Sequence, residues 1–87
     1  MAERNELRYT PAGIEALDFV LHHQSTQTEA NMPCDVQFDI GCVGFGSMAR
    51  EIQRFSPGKV LRVSGFLRAA RRGSRSVKLH VTQYIEV

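Results

Sequence analysis

Apolar and polar residues alternate with a period of two in two long segments of the chain, Cys34–Cys42 and Val77–Val87. Because successive side chains on a strand point to opposite faces, this alternation predicts two half-buried β-strands. In the second segment Ile85 falls on the apolar face and Tyr84 on the polar face, and Gln83 is the one residue that breaks the alternation. Both segments are therefore predicted to line a β-rich core.

Three other segments, Glu6–Tyr9, Ile14–Ser25 and Lys59–Arg68, fit strands less regularly. The residues Thr10–Gly13 (TPAG) between the first two are typical of a type II turn. Together with the two alternating segments, these give five predicted strands.

One helical pattern lies between the third and fourth predicted strands. Met48, Ile52 and Phe55 fall at positions i, i+4 and i+7, which places them on one face of a helix. Ser47 is the predicted N-cap, and Ser56–Gly58 (SPG) ends the helix. The predicted order of elements is therefore β-β-β-α-β-β.

This order is that of the OB-fold, an all-β, five-stranded, partly open Greek-key barrel with one short helix between strands 3 and 4. We expect residues 1–87 to form a single domain of this kind. An SH3-like barrel is the main alternative, but it has no natural position for the helix. Many OB-folds bind oligonucleotides, whose negative phosphates attract basic residues.

Charge is divided unevenly along the chain. Residues 1–51 carry eight acids and three bases, whereas residues 52–87 carry eight bases and one acid. Five of these bases fall within eleven residues around a Gly/Ser-containing hairpin: Arg68, Arg71, Arg72, Arg75 and Lys78. Such a run predicts a polyanion-binding surface, although a solvated hairpin tip is the structural alternative. We add Arg62 to the predicted nucleic-acid-binding residues.

Aromatic residues that could stack on bases are few. Phe19, Phe38 and Phe55 lie on apolar faces and are expected in the core. Phe66 and Tyr84 share a face with polar neighbours and Tyr9 flanks a turn, so these three are candidates for exposure. We take Tyr9 and Phe66 as candidate base contacts, with packing or a dimer interface as the alternative. Electrostatic attraction is therefore expected to contribute more to binding than base stacking.

The remaining residue patterns predict neither a cofactor, a metal site nor an enzyme. Gly44–Ala49 (GFGSMA) matches a loose dinucleotide-binding pattern, but no parallel βαβ unit follows, so the glycines are expected to turn the chain from strand into helix. Cys34 and Cys42 are expected as reduced core residues. The chain has no apolar run of roughly 20 residues and no signal-type N-terminus, so we expect a cytoplasmic protein away from membranes.

The sequence resembles the primosomal replication protein N (PriB) family, dimeric relatives of single-stranded DNA-binding protein. The resemblance rests on four stretches and Glu29: Arg8–Ile14 (RYTPAGI), Leu17–Ser25 (LDFVLHHQS), Val63–Leu67 (VSGFL) and Leu79–His80. It implies a homodimeric OB-fold accessory of replication restart that binds single-stranded DNA. It also implies that the protein helps the PriA helicase and other primosome proteins assemble at stalled forks.

The resemblance also implies site residues. Arg8 matches a basic contact of the family, and the Arg71–Arg75 segment matches its basic loop. At two positions where the family has aromatic DNA contacts, this chain has Met32 and Gln37. We retain Met32 as a candidate base contact. At a third position, Gln24 replaces a basic residue of the family. Family members also have more of the first strand before Met1, so Met1 is a candidate internal start that would leave a strand edge unpaired.

Two other functions remain open at this point. The basic loop could serve a protein-interaction adaptor by contacting an acidic partner, or the domain could bind RNA.

Overall fold

The computed structural model describes all residues from Met1 to Val87. It has six strands and one helix, in this order: β1 (Glu3–Arg4), β2 (Arg8–Tyr9), β3 (Glu15–Glu29), β4 (Met32–Phe45), α1 (Ser47–Ile52), β5 (Leu61–Ala69) and β6 (Val77–Glu86). The all-β class and the position of the helix are confirmed. The strand count is corrected from five to six, because two short segments, β1 and β2, take the place of one first strand and pair one after the other with the same edge of β3.

All six strands belong to one sheet, in the order β1-β3-β4-β6-β5, with β2 also paired to β3. Strands β3 and β4 form a long antiparallel hairpin that runs from the Ala16–Phe45 pair to the Glu29–Met32 pair. Strand β6 joins β4 in parallel and pairs antiparallel with β5. The outer edge of β5 has no strand partner, and a groove of about 630 Å³ lies between β5 and β3.

The core lies between the helix and one face of the sheet. Its fully buried side chains include Leu17 of β3, Cys42 of β4 and Ile52 of α1. Phe19 and Val81 complete the apolar contacts from the strands. Because the buried positions concentrate in the first half of β3 and the last part of β4, the far part of the β3–β4 hairpin extends away from the core.

Two residues predicted for the core lie on that extension. Phe38 is 46% exposed and stacks on His23, with 5.0 Å between the ring centroids. Cys34 is half-buried, whereas burial of Cys42 raises the pKa of its thiol to about 11. Both cysteines are unbridged. The core prediction was wrong for Phe38 and only partly right for Cys34, because alternation identifies a face of a strand and not how far the core extends along it.

Glycine residues make the turn from β4 into α1. Gly46 has a φ of 63° and occupies the N-cap, so the prediction of Ser47 as N-cap was wrong. A Cβ on Gly44 would lie 3.0 Å from Cγ of Met48, so a larger residue here would press on that side chain. The helix ends at Ile52, and Phe55 packs against the core from the turn that follows.

The predicted type II turn at Thr10–Gly13 is also corrected. The Gly13 N–H donates to the Thr10 carbonyl at 2.8 Å, which closes a four-residue turn. A type II turn requires positive φ at its third residue, Ala12, but here the left-handed residue is Gly13, with a φ of 81°. Pro and Gly therefore specify a turn at this position but not its type.

Strand β6 contains a bulge that reverses which of its side chains face the core. The pairing with β5 shifts register between Ser64 and Gly65, leaving one extra residue on β6. After the bulge Tyr84 is half-buried, whereas Ile85 is 62% exposed, so the predicted orientations of these two residues were wrong. The irregular residue Gln83 marks this bulge in the sequence.

Candidate nucleic-acid interface

The β5–β6 loop presents three arginines, Arg71, Arg72 and Arg75, and all three are exposed. The loop backbone is fixed by hydrogen bonds, including one from the Ala70 N–H to the Ser76 carbonyl at 2.8 Å. None of the salt bridges in the structure involves these arginines. Their charges are therefore available to an external anion.

The two strands that lead into this loop continue the cationic surface. Arg68 of β5 pairs directly with Lys78 of β6, and Phe66 pairs with His80. Residues opposite each other on antiparallel strands project to the same face, so these four side chains form one patch. Arg62 has the same parity on β5 and lines the groove at the open edge.

Three rings meet on this patch. His80 stacks on Phe66 with 5.1 Å between the centroids and lies 5.8 Å from the ring of Phe45. Phe66 is 53% exposed and Phe45 is 41% exposed, so parts of both rings are open to solvent. Sequence reasoning identified Phe66 but missed Phe45 and His80, because their proximity depends on the pairing of β6 with β4.

The charge state of His80 follows from its surroundings. Partial burial lowers the pKa of its imidazole, and the positive charges of Arg68 and Lys78 lower it further. Near neutral pH the ring is therefore uncharged, and it can stack on a neighbouring ring without desolvating a cation.

Gly65 allows the close approach of β5 and β6 beneath this patch. A Cβ at this position would lie 1.9 Å from the carbonyl oxygen of His80 and 2.8 Å from its carbonyl carbon. Both are backbone atoms, so no side-chain movement could relieve the overlap. Glycine is required here by the approach of a neighbouring strand.

Arg8 and Lys78 differ from the loop arginines because both are paired with one acid. Arg8 Nε lies 2.6 Å from Asp18 Oδ2, and Lys78 Nζ lies 2.7 Å from Asp18 Oδ1. The bond from Arg8, with some contribution from Lys78, lowers the pKa of the Asp18 carboxyl, although its partial burial opposes this shift. These two predicted contacts are thus brought together, but their charge is partly neutralised.

The other two candidate base contacts lie apart from the aromatic patch in the fold. Tyr9 is 66% exposed on β2, and Met32 is 68% exposed at the tip of the β3–β4 hairpin. Gln24 and Gln37 face each other across that hairpin. No group of three or more His, Cys, Asp or Glu residues in the structure could hold a metal ion.

Comparison with known proteins assigns the family. A family model described as another single-strand binding protein family matches residues 1–83. Replication restart protein PriB of Bordetella pertussis is 40% identical over 81 residues, covering 93% of this chain and 76% of that protein. The PriB of Neisseria meningitidis serogroup B is 42% identical over 71 residues, covering 82% of this chain and 68% of that protein.

The chain belongs to the PriB family of single-strand binding proteins. Among solved structures, PriB from Ralstonia solanacearum superimposes with a TM-score of 0.87 at 33% identity, covering 98% of this chain and 86% of that one. The single-stranded DNA binding protein from Thermus aquaticus, at 22% identity, superimposes with a TM-score of 0.73 over 99% of this chain and 45% of that one. These likenesses confirm the predicted OB-fold and the resemblance to the PriB family.

Proposed function

We propose that this PriB family member is a non-catalytic accessory of replication restart that binds single-stranded DNA. The observation that carries the proposal is the β5–β6 loop, where three exposed arginines have no acidic partner. An arginine guanidinium can pair with phosphate oxygens through two parallel bonds and can also stack on a base. In OB-folds the loop between the last two strands is a frequent oligonucleotide contact.

The aromatic patch beside the loop supplies the second part of the proposed site. Phosphates would lie along Arg68 and the loop arginines, while one base stacks on the exposed side of Phe66 or Phe45.

The structure contains no helix with the length and apolar character of a membrane span. We place the protein in the cytoplasm, where replication intermediates are found.

Replacing Arg71, Arg72 and Arg75 together by alanine tests the proposed site. We expect binding of labelled oligo-dT, measured by fluorescence anisotropy at 0.1 M salt, to fall by at least about tenfold, because three phosphate contacts are lost. Arg54→Ala is the control, because that arginine lies over the Phe55 ring outside the patch. Unchanged affinity in the triple variant would exclude the loop as the site.

The same assay separates the other two functions. An RNA oligomer of matched sequence tests RNA binding, and binding tighter than that of DNA would favour an RNA-binding domain. If neither nucleic acid binds at physiological salt, the basic loop serves a protein partner with an acidic surface.

We also propose that the protein acts with the PriA helicase and other primosome proteins, and that it does so as a homodimer. The exposed apolar side chains Val60 and Val87, both lining the groove at the open edge of β5, support a self-association surface. Light scattering across a concentration series tests the dimer, and a monomer at micromolar concentration would contradict it. Binding of purified PriA to the immobilised protein tests the partnership, and an absence of binding with and without DNA would contradict it.

A further inference from the structure

Asp18 lies on the proposed DNA-binding face and accepts hydrogen bonds from two of its cations. Its two carboxylate oxygens accept hydrogen bonds from different residues, Oδ2 from Arg8 Nε at 2.6 Å and Oδ1 from Lys78 Nζ at 2.7 Å. A second, longer bond of 3.3 Å joins Arg8 Nη2 to Oδ1. The side chain of Asp18 is only 17% exposed, whereas that of Arg8 is 50% exposed.

The fold brings these three residues together from separate strands. Arg8 lies on β2, Asp18 on β3 and Lys78 on β6, with β4 between the last two in the sheet. The side chain of Lys78 crosses β4 at Gly41, where an added Cβ would lie 3.7 Å from Lys78 Cε. A small residue at position 41 thus keeps the path of the lysine to Asp18 open, and even a methyl group there would make only ordinary contact with it.

This arrangement resembles phosphate binding, with the carboxylate in the place of the ligand. A phosphate group also presents oxygens that accept bonds from an arginine and a lysine. Arg68 and the three loop arginines have no such internal acid, although Arg68 pairs directly with Lys78 across the strands. On this face Arg68 and the loop arginines are therefore unpaired, whereas Arg8 and Lys78 already share one anion, Asp18.

We propose that Asp18 is an internal competitor for phosphate, which withholds Arg8 and Lys78 from DNA and thereby weakens binding and its dependence on salt. The proposal rests on the proposed single-stranded DNA binding. It assigns Asp18 as a residue that sets affinity on this face without itself contacting DNA.

Replacing Asp18 by asparagine tests the proposal, because asparagine keeps the shape and removes the charge. For each phosphate that Arg8 or Lys78 then contacts, the slope of log affinity against log salt should steepen by about 0.7. When the salt is lowered from 1 M to 0.1 M, the affinity of Asp18→Asn for oligo-dT should therefore rise about fivefold more than that of the unaltered protein, for each such phosphate. We expect one or two such contacts.

Glu15→Gln is the matched control. Glu15 is also a partly buried carboxylate of β3 paired with an arginine, Arg50 of the helix, and its loss changes the net charge equally. It lies three residues from Asp18 on the same strand, which places it on the opposite face. A gain in Asp18→Asn that is absent in Glu15→Gln supports the proposal; equal gains, or weaker binding in Asp18→Asn, overturn it.

A second comparison does not depend on how well Asp18→Asn folds. In the otherwise unaltered protein, Lys78→Met should change the salt slope much less than Arg72→Met, because Lys78 is already neutralised. Adding Lys78→Met to Asp18→Asn should remove about 0.7 of the gained slope, the share of one phosphate contact by the lysine. Equal slope changes for Lys78→Met and Arg72→Met in the unaltered protein overturn the proposal. If the unaltered protein does not bind oligo-dT at all, the proposed function itself fails.

Discussion

Two hairpins extend from the sheet, and their charges are opposite. Residues 62–78, from within β5 to the start of β6, contain six Lys or Arg residues and no acid. Residues 22–39, which form the outer part of the β3–β4 hairpin, contain three acids and no Lys or Arg. Both hairpins are pairs of antiparallel strands, so the contrast between them lies in the charges that their side chains carry.

Two of the three acids on the acidic hairpin have internal partners. His22 Nδ1 lies 2.7 Å from Asp39 Oδ1, and Thr26 donates to Asp35 at 3.3 Å. In the basic hairpin the three loop arginines have no acidic partner. The proposed DNA contact therefore falls on the basic hairpin, whose loop arginines have no internal acid.

Disrupting the basic hairpin should have the largest effect. Gly65→Ala places a Cβ on the His80 backbone, so β5 and β6 must separate, at a cost of about 1–3 kcal/mol or more. Urea unfolding measures the loss of stability. Gly41→Ala is the control, because its Cβ meets only ordinary contact at 3.7 Å. If both variants are equally stable, the close approach of the strands is not a constraint.

Adding an aromatic residue to the acidic hairpin should bring it into the site. Gln37 is exposed and, with Gln24, occupies the face that continues to Asp18 and Lys78. Gln37→Trp should strengthen oligo-dT binding by about 1–3 kcal/mol if one base stacks on the new ring. Gln27→Trp, on the opposite face of the hairpin, is the control. Equal effects of the two variants would show that face does not matter.

Acid should weaken the fold through Asp18. The pKa of this carboxyl is lowered in the folded protein from an ordinary value of 3.8, so the unfolded chain binds a proton more readily. The stability that Asp18 contributes is complete above about pH 5 and declines as the pH falls through 3.8 towards the lowered pKa. Thermal unfolding between pH 6 and pH 3 should show this loss in the unaltered protein and in Asp35→Asn, but less of it in Asp18→Asn. Identical profiles for all three would contradict the prediction.

The smallest effect concerns the tip of the acidic hairpin. Ala30 and Asn31 both have positive φ, 50° and 64°, as a two-residue type I′ turn requires. Alanine is strained in this region and glycine is not, so Ala30→Gly should stabilise the protein by about 0.5–1 kcal/mol without changing DNA binding. Ala70→Gly, where φ is not positive, should stabilise nothing. Chemical unfolding measures both variants.

The sequence predicted those features that depend on neighbouring residues. The alternation at Cys34–Cys42, the helical spacing around Ile52 and the basic run from Arg68 to Lys78 all appear in the structure. Each of these patterns is local, so a short stretch of chain suffices to identify it.

Features that depend on pairing between distant strands were missed. Lys78 meets Asp18, sixty residues away, only because β6 pairs with β4. The same pairing brings Phe45 to His80. The bulge that turns Tyr84 inward is marked in the sequence only by Gln83, which breaks the alternation. That irregularity does not indicate which side chains change face. The residues of the candidate site therefore come together through the pairing of distant strands, which the composition of a short segment does not reveal.

The salt dependence of DNA binding shows directly whether the loop arginines contact phosphates. The logarithm of the affinity for labelled oligo-dT would be measured against the logarithm of salt concentration for the unaltered protein and for the Arg71, Arg72 and Arg75 triple alanine variant. We expect the slope of the triple variant to be shallower by about 2, since each lost phosphate contact removes about 0.7. Parallel lines for the two proteins would contradict it, because the unpaired arginines of the basic hairpin would then contact no phosphate.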